Sequence, residues 1–401
     1  MLSKKYISKN VFLPLTHYIK CIRFFGKNGI VDFATHIKHL FLYDDVPGLV
    51  FPFRSGRGGL LFALKGFIDL MPEQTEVILP SYVCNGLLEP VLLSGLTPVF
   101  CDVGSDLNLD FNSMLDAISP RTLAIIVPHT YGYAVDVQRL KQLVKDKRHD
   151  IFIIDDAASG MGNTSNGVPL GCIGDVGLFS LNQAKAYPIC GGGLLLVNNE
   201  KLFSLFKKSL EDISTVDDSR SFIDCTKFLF NYKLPYQAGF LNYYLERFTG
   251  KSFVKHDSKY SGFLSSYDLR VLLSGIETIK KAHHLRKLIF DYYFEKLSSI
   301  DGVYFPHYPY GGFLSRLALV IDGLGDKLDI DSDILGKYKR RGVFFQRGYP
   351  SYYLQHIEES QIYNYSKLPR DLLILPVDHS LPLNDYAYVV DEFKSLVSEI
   401  N

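Results

Sequence analysis

Three short stretches of the 401-residue chain carry side chains that could do chemistry together. Asp155 and Asp156 directly follow the apolar run 151–154. Acids at the end of a buried parallel strand stand where such sheets bind ligands. Ser180 closes a second β-rich run, Lys185 stands five residues beyond it, and Gly191, Gly192 and Gly193 precede the apolar run 194–197. Consecutive glycines allow backbone to come close to a ligand or to another strand. Upstream, Ser55-Gly56-Arg57-Gly58-Gly59 opens a helical pattern. Small residues at a helix start leave N–H groups able to hold a phosphate. Singly, each has a plain structural explanation: an acid pair opens a loop, a loop lysine is solvated, and glycine is common where helices begin.

The set says more than its members. Pyridoxal 5′-phosphate (PLP) needs a lysine to bond its aldehyde, an acid beside its pyridine nitrogen and donors for its phosphate. The chain offers all three, in the order helix start, strand-end acid, serine and lysine.

Groups so far apart in sequence need a scaffold that brings loop ends together. β-rich runs at 76–79, 98–102, 123–127, 151–154, 176–180 and 194–197 alternate with helical patterns at 59–70, 86–94, 112–117 and 136–145. This alternation predicts an α/β fold with a mostly parallel central sheet and helices on both faces. Residues 200–260, rich in Phe, Tyr and Lys, read as a connecting region. A long helix is expected over 265–299, from apolar residues at helical spacing. Strands at 317–321 and 342–346 and a final helix at 385–400 predict a smaller C-terminal α+β domain. The division is therefore a basic, aromatic N-terminal segment over 1–45, a large PLP-binding domain over 46–250 and a small domain over 251–401.

Composition narrows the partners. Apolar residues make up 47% of the chain, enough for a large core, and the 43 basic residues equal the 43 acidic ones. That balance gives no reason to expect nucleic acid. The six cysteines have neither Cys-x-x-Cys nor metal-ligand spacing, so no metal is expected and they read as reduced thiols in a cytoplasmic protein. No signal peptide and no run of 18 apolar residues is present, which predicts neither secretion nor a membrane span. Residues 1–31 carry six basic residues and no acid, interleaved with apolar ones. They predict a helix packed on the body with a solvated basic face, or weak contact with an anionic membrane surface.

At the residues singled out above, the chain resembles the DegT/DnrJ/EryC1/StrS family of PLP-dependent sugar aminotransferases, of fold type I. Ser55-Gly56 resembles the start of the family's phosphate loop. Glu76-Val-Ile-Leu-Pro-Ser81, Thr97-Pro-Val-Phe-Cys-Asp102 and Pro128-His-Thr-Tyr-Gly132 with Asp136 resemble family segments in order. Asp155-Asp-Ala-Ala158 with Gly162, Gly174-Asp175, Phe179-Ser180 with Lys185, and Leu375-Pro376 with His379 continue the series. The resemblance implies that Lys185 bonds the cofactor and carries the proton between substrate carbon and cofactor. It implies that Asp156 keeps the pyridine nitrogen protonated, with Asp155 at the position of the family's Glu. Ser180 and the backbone of Gly56, Arg57 and Gly58 would hold the phosphate, and Ala158 would pack on the ring.

Several positions depart from the family. Arg57 stands where Thr or Ser is usual, and the stacking aromatic falls at Cys84, with Tyr82 close enough to substitute. Ser159 replaces Gln or His, and Cys190 and Gly191 replace the first Gly and the Glu of a GEGG turn. Ser261 lies near the Asn that reaches the partner subunit. Family members that became dehydratases have histidine in place of the lysine, so Lys185 favours amino transfer. The activity implied is transfer of an amino group from an amino acid, glutamate above all, to a keto-sugar nucleotide for surface polysaccharide or a glycosylated metabolite, by a homodimer. The alternatives are another PLP reaction on this fold, such as a lyase or transamination of a non-sugar ketone, or a degenerate relative.

Overall fold

Strands that are apolar at every position must be covered on both faces, and the chain's central strands are of that kind. In the structure, a computed structural model, residues 18, 19, 21, 48–182, 185, 189, 191–209, 218–232, 262–306, 314–349, 368–377 and 382–400 are described. Most of segment 1–31, much of 200–260, and Cys190, Ser261 and His379 lie outside them.

A seven-stranded sheet uses β1 (Leu49–Phe53), β2 (Glu76–Pro80), β3 (Thr97–Cys101), β4 (Thr122–Pro128), β5 (Phe152–Asp156), β6 (Val176–Ser180) and β7 (Gly193–Val197). Their spatial order is β1-β7-β6-β5-β4-β2-β3. The pairs among β2 to β6 are parallel, and β7 runs against both neighbours. Between the strands run α1 (Gly56–Leu70), α2 (Asn85–Leu93), α3 (Phe111–Asp116) and α4 (Val137–Lys147). Alternation along each strand feeds two separate cores. Val77, Leu79, Ile126 and Ile154 pack with Leu60, Leu64 and Phe67 of α1, while Ile78, Ile125, Val127 and Ile153 pack with Val137, Leu140 and Val144 of α4. This is the predicted architecture, a mostly parallel sheet between helical layers. Sequence reading missed β1, whose Pro52 argues against a strand interior. It is tolerated because β1 is at the sheet edge.

A 32-residue helix, α5 (Ser266–Leu297), leads to the C-terminal part. Ser265 caps it, with Asp268 closing the reciprocal bond of a capping box. There β8 (Val303–Tyr304), β9 (Leu317–Ile321), β10 (Gln346–Arg347) and β11 (Leu372–Leu375) form an antiparallel sheet ordered β8-β9-β11-β10, and α6 (Tyr386–Ile400) packs with it. The strand expected over 342–346 shrinks to β10, with Val343 an isolated bridge residue and Phe345 buried outside the ladder. Tyr82, Tyr131 and Tyr133 of the large sheet's loops belong to the same core as this small sheet.

One expectation narrows and one is corrected. Tyr18 and Cys21 are buried against Leu269, Val271 and Leu272 of α5, and the Tyr267 hydroxyl donates to the Tyr18 carbonyl at 3.3 Å, so this part of the basic segment packs on the body. Cys225 is disulfide-bonded, which corrects the reading of six reduced thiols, since spacing in sequence carries no information on proximity in the fold. Among the described residues no helix is long and apolar enough to cross a membrane.

Candidate active site

The carboxyl ends of β4, β5 and β6 lie side by side, with Pro128 opposite Asp156 and Asp156 opposite Leu178. A cavity of about 260 Å³ opens there, lined by Asp156, Ala158, Ser180, Lys185, Cys84 and the Arg54–Arg57 turn, among others.

Period-two alternation decides between the two acids. Asp156 shares the face of Ile154, on which α1 lies, and so reaches the cavity; Asp155 shares the opposite face with Ile153. Asp155 is fully buried and engaged there. Its Oδ1 meets Nε2 of His129 at 2.8 Å, and its Oδ2 accepts from the Ile173 amide at 3.1 Å. The Val135 amide donates to His129 Nδ1 at 2.9 Å, so the ring's proton sits on Nε2, facing the carboxylate. Asp156 accepts from the Ala158 amide at 2.9 Å, which fixes its carboxylate. Burial pushes the Asp156 carboxyl up, and the nearby positive charge of Lys185 opposes that.

Lys185 donates from Nζ to Ser159 Oγ at 3.0 Å. Burial pushes its amine below the usual lysine range, while Cys84 and Asp156 act the other way. Desolvation disfavours the charged form. An amine so lowered offers more of its neutral, nucleophilic form, which condensation with an aldehyde requires.

The α1 start forms a cradle beside Ser180. Ser55 is the N-cap, its Oγ accepting from the Gly58 amide at 3.0 Å. Gly58 is buried and lies outside the cavity lining, so its amide serves the cap, and the half-buried Ser55, Gly56 and Arg57 line the cavity. A Cβ on Gly56 would lie 3.5 Å from the Phe179 carbonyl and 3.9 Å from Ser180 Cβ, which places the turn against the end of β6. The first N–H groups of a helix lack partners within it, and with the helix dipole they suit an anion. The Arg57 guanidinium pairs with Glu89 at 3.0 Å while still lining the cavity.

The structure thus brings Gly56, Arg57, Cys84, Asp156, Ala158, Ser180 and Lys185 to one cavity. Ser159 and Tyr82 line a smaller adjoining space with Lys185, Asp156 and Tyr349. Tyr82 is held by its hydroxyl, 2.5 Å from that of Tyr131 and accepting the Tyr349 amide at 3.0 Å, and Cys84 rather than Tyr82 lines the main cavity. Sequence reasoning did not single out Arg54, Asn182, Tyr349 or Arg316. Arg54 adjoins the glycine turn and could have been found from it; Tyr349 and Arg316 carry no local motif. Nor did it give a role to Asn108, whose side chain takes the Thr130 amide and donates to the Tyr133 carbonyl. That clamp helps hold Tyr131 at a φ of 56°, in the left-handed region.

The donor set fits a pyridine aldehyde bearing a phosphate: an amine with lowered basicity, a buried acid on the same face, and a helix-start cradle next to a serine hydroxyl. Comparison with known proteins points the same way. A model of the DegT/DnrJ/EryC1/StrS aminotransferase family matches residues 50–394. The chain is 35% identical over 144 residues to a UDP-N-acetyl-3-dehydro-α-D-glucosamine 3-aminotransferase of Acidithiobacillus ferrooxidans, covering 36% of this chain and 38% of that one. It is 30% identical over 126 residues to a GDP-perosamine synthase of Vibrio cholerae, covering 31% and 34%. These matches thus span only a third or so of each relative. Among solved structures, the Helicobacter pylori aminotransferase PseC, involved in the biosynthesis of pseudoaminic acid, superposes with a TM-score of 0.76 at 16% identity, covering 99% of this chain and 100% of that one. The sugar aminotransferase CalS13 of Micromonospora echinospora gives 0.73 at 19% identity, covering 98% and 99%. PLP is the cofactor that goes with this family.

Proposed function

Since the chain belongs to the DegT/DnrJ/EryC1/StrS aminotransferase family, we propose that it is a PLP-dependent aminotransferase. It moves an amino group from an amino acid, glutamate in the first instance, to a ketone on a nucleotide-linked sugar. The observation that carries the reading is the pairing of Lys185, its amine lowered by burial, with the buried Asp156 on one cavity wall beside the α1 cradle. Bound there, the cofactor supplies an aldehyde for amine capture and a ring that takes up the electron pair when a Cα proton leaves.

Each residue then has a task. Lys185 Nζ would hold the cofactor through its aldehyde carbon, and as a free amine it would move a proton at the substrate carbon. Ser159 Oγ holds that amine in place from 3.0 Å. Asp156, fixed by the Ala158 amide, keeps a proton on the pyridine nitrogen. Gly56, Arg57 and Ser180, which line the cavity, would face the phosphate, and Cys84 and Ala158 would line the ring's surroundings. The sugar-nucleotide substrate is supported by what the curated relatives are named for. The same reading makes the working unit a homodimer in the cytoplasm.

The test is the visible absorbance of purified protein with and without PLP, beside Lys185→Ala, followed by glutamate. A band that forms in the wild type, is altered in the variant and shifts with glutamate supports the reading. Protein that never takes up PLP would overturn it, and a bound cofactor indifferent to every amino donor would favour a lyase.

A further inference from the structure

One residue just past the end of β4 grips both acids at the end of β5. The His129 amide donates to the Asp156 carbonyl at 3.1 Å, and the imidazole donates from Nε2 to Asp155 Oδ1 at 2.8 Å. The ring is held in that orientation, because its Nδ1 accepts from the Val135 amide at 2.9 Å. His129 is buried, yet it lines the smaller cavity together with Lys185, Asp156 and Ser159.

This bonding fixes the charge on Asp155. Oδ1 accepts from His129 and Oδ2 accepts from the Ile173 amide at 3.1 Å. Among the described residues both oxygens accept and neither donates, so Asp155 is a carboxylate. An acid buried this fully keeps its charge only while such donors serve it. Its place is the face of β5 turned away from the main cavity, one residue from Asp156.

That charge acts on Asp156 from behind. The titratable groups that bear on Asp156 are Lys185, His129 and Asp155, with Tyr349 across the smaller cavity. Burial pushes the Asp156 carboxyl up and Asp155 adds to it, while Lys185, the Ala158 amide and His129 act the other way. A second negative charge therefore makes a proton held between Asp156 and a ring nitrogen harder to lose.

We propose that His129 is a positioning residue for the reaction: its amide aims Asp156 at the cavity, and its imidazole keeps Asp155 a charged carboxylate behind it. The inference rests on the aminotransferase reading and deepens it, since a ring that takes up an electron pair does so best with its nitrogen protonated. His129 acts through the two acids and not on the reacting atoms.

The test is the pH midpoint of the visible band of the PLP-loaded protein, in wild type, Asp155→Asn, His129→Leu and His129→Gln. The band reports the proton on the nitrogen that links Lys185 to the cofactor, which nearby negative charge retains. Asp155→Asn is expected to lower the midpoint by about 0.5–1 unit, the size of one charge lost within a protein interior. His129→Leu takes the donor from Asp155, so the buried acid gains a proton and the midpoint falls by a similar amount, with no further fall when both changes are combined. His129→Gln keeps an N–H for Asp155 but leaves the Val135 amide without its acceptor, so its melting temperature falls while its midpoint stays. An unmoved midpoint in Asp155→Asn, or midpoints that simply follow melting temperature across the set, would overturn the proposal. Protein that takes up no PLP refutes the aminotransferase reading instead, and the apoprotein then decides on His129 alone. By carboxyl 13C NMR, Asp156 should titrate lower in Asp155→Asn and His129→Leu than in wild type, and equal midpoints overturn the proposal. If those variants fail to fold, 15N and 13C NMR of the wild-type apoprotein decide: a His129 proton on Nε2 with Asp155 a carboxylate at pH 7 supports the proposal, and a proton on Nδ1 or on Asp155 overturns it.

Discussion

Gly193→Ala tests whether the cofactor cradle depends on one close backbone contact. Gly193 is the first residue of β7, paired with Ser180 of β6 and with Phe53 of β1. A Cβ at this position would stand 2.4 Å from the Gly56 nitrogen, 2.5 Å from the Gly56 Cα and 2.8 Å from the Phe179 carbonyl oxygen. All three atoms are backbone, so no side chain can rotate away. Reaching ordinary contact at 3.4 Å requires the α1 start to move about 1 Å from the sheet. Overpacking of this kind costs about 1–3 kcal/mol of stability. The same displacement separates Gly56 and Arg57 from Ser180, and a 1 Å misplacement of site groups lowers rates by about 100-fold. We expect a folded protein, less stable in urea by about 1–3 kcal/mol, whose PLP affinity, read from the visible band, falls at least tenfold. Gly191→Ala is the contrast: with φ at 134° it is strained through its own backbone, but among the described residues its Cβ would meet only Asn182 Oδ1, at 3.8 Å. It should lose stability and keep the cradle. Wild-type PLP affinity in Gly193→Ala, or equal loss in both variants, would refute the argument from the Gly56 contact.

Other outcomes follow from the buried polar groups. Tyr82→Phe leaves the Tyr349 amide and the Tyr131 hydroxyl without the oxygen they now share, and should destabilise by about 1–3 kcal/mol; urea unfolding within about 0.5 kcal/mol of wild type would contradict this. Lys185→Met should make the apoprotein more stable near neutral pH. Burial holds the Lys185 amine below its ordinary 10.5, so between the lowered folded value and 10.5 the unfolded chain binds a proton that the folded one does not. Wild type therefore loses stability as pH falls through that window, and the advantage of Met vanishes above it. Unfolding free energies of both apoproteins from pH 7 to 11 check this, and a gap that widens with pH would reverse the sign.

Much of the fold and part of the site was legible in the chain. Unbroken apolar runs such as 123–127 and 194–197 specify buried strands whatever lies around them, and helical patterns between them force crossovers and hence a parallel sheet. Lys185, Asp156, Ser180 and the glycine turn were visible because each sits at the end of such a run, where parallel strands must deliver their loops. Alternation even carried the choice between Asp155 and Asp156, once the face covered by α1 was known.

Other features had no local signature. Pro52 hid β1, since only the finished sheet shows that its strand lies at an edge. The amide of Gly58 looked available for phosphate until the Ser55 cap claimed it. Tyr349 and Arg316 come to Lys185 from the antiparallel sheet, far along the chain, and nothing near them in sequence differs from an ordinary loop or strand start. Sequence by itself determined most of the central strands and the chemical types at their ends, because hydrophobic period and residue identity are local properties. The tertiary structure alone decided which charges meet, which amides are already engaged and how far burial moves an amine, because those depend on distance and desolvation between segments that sequence does not bring together.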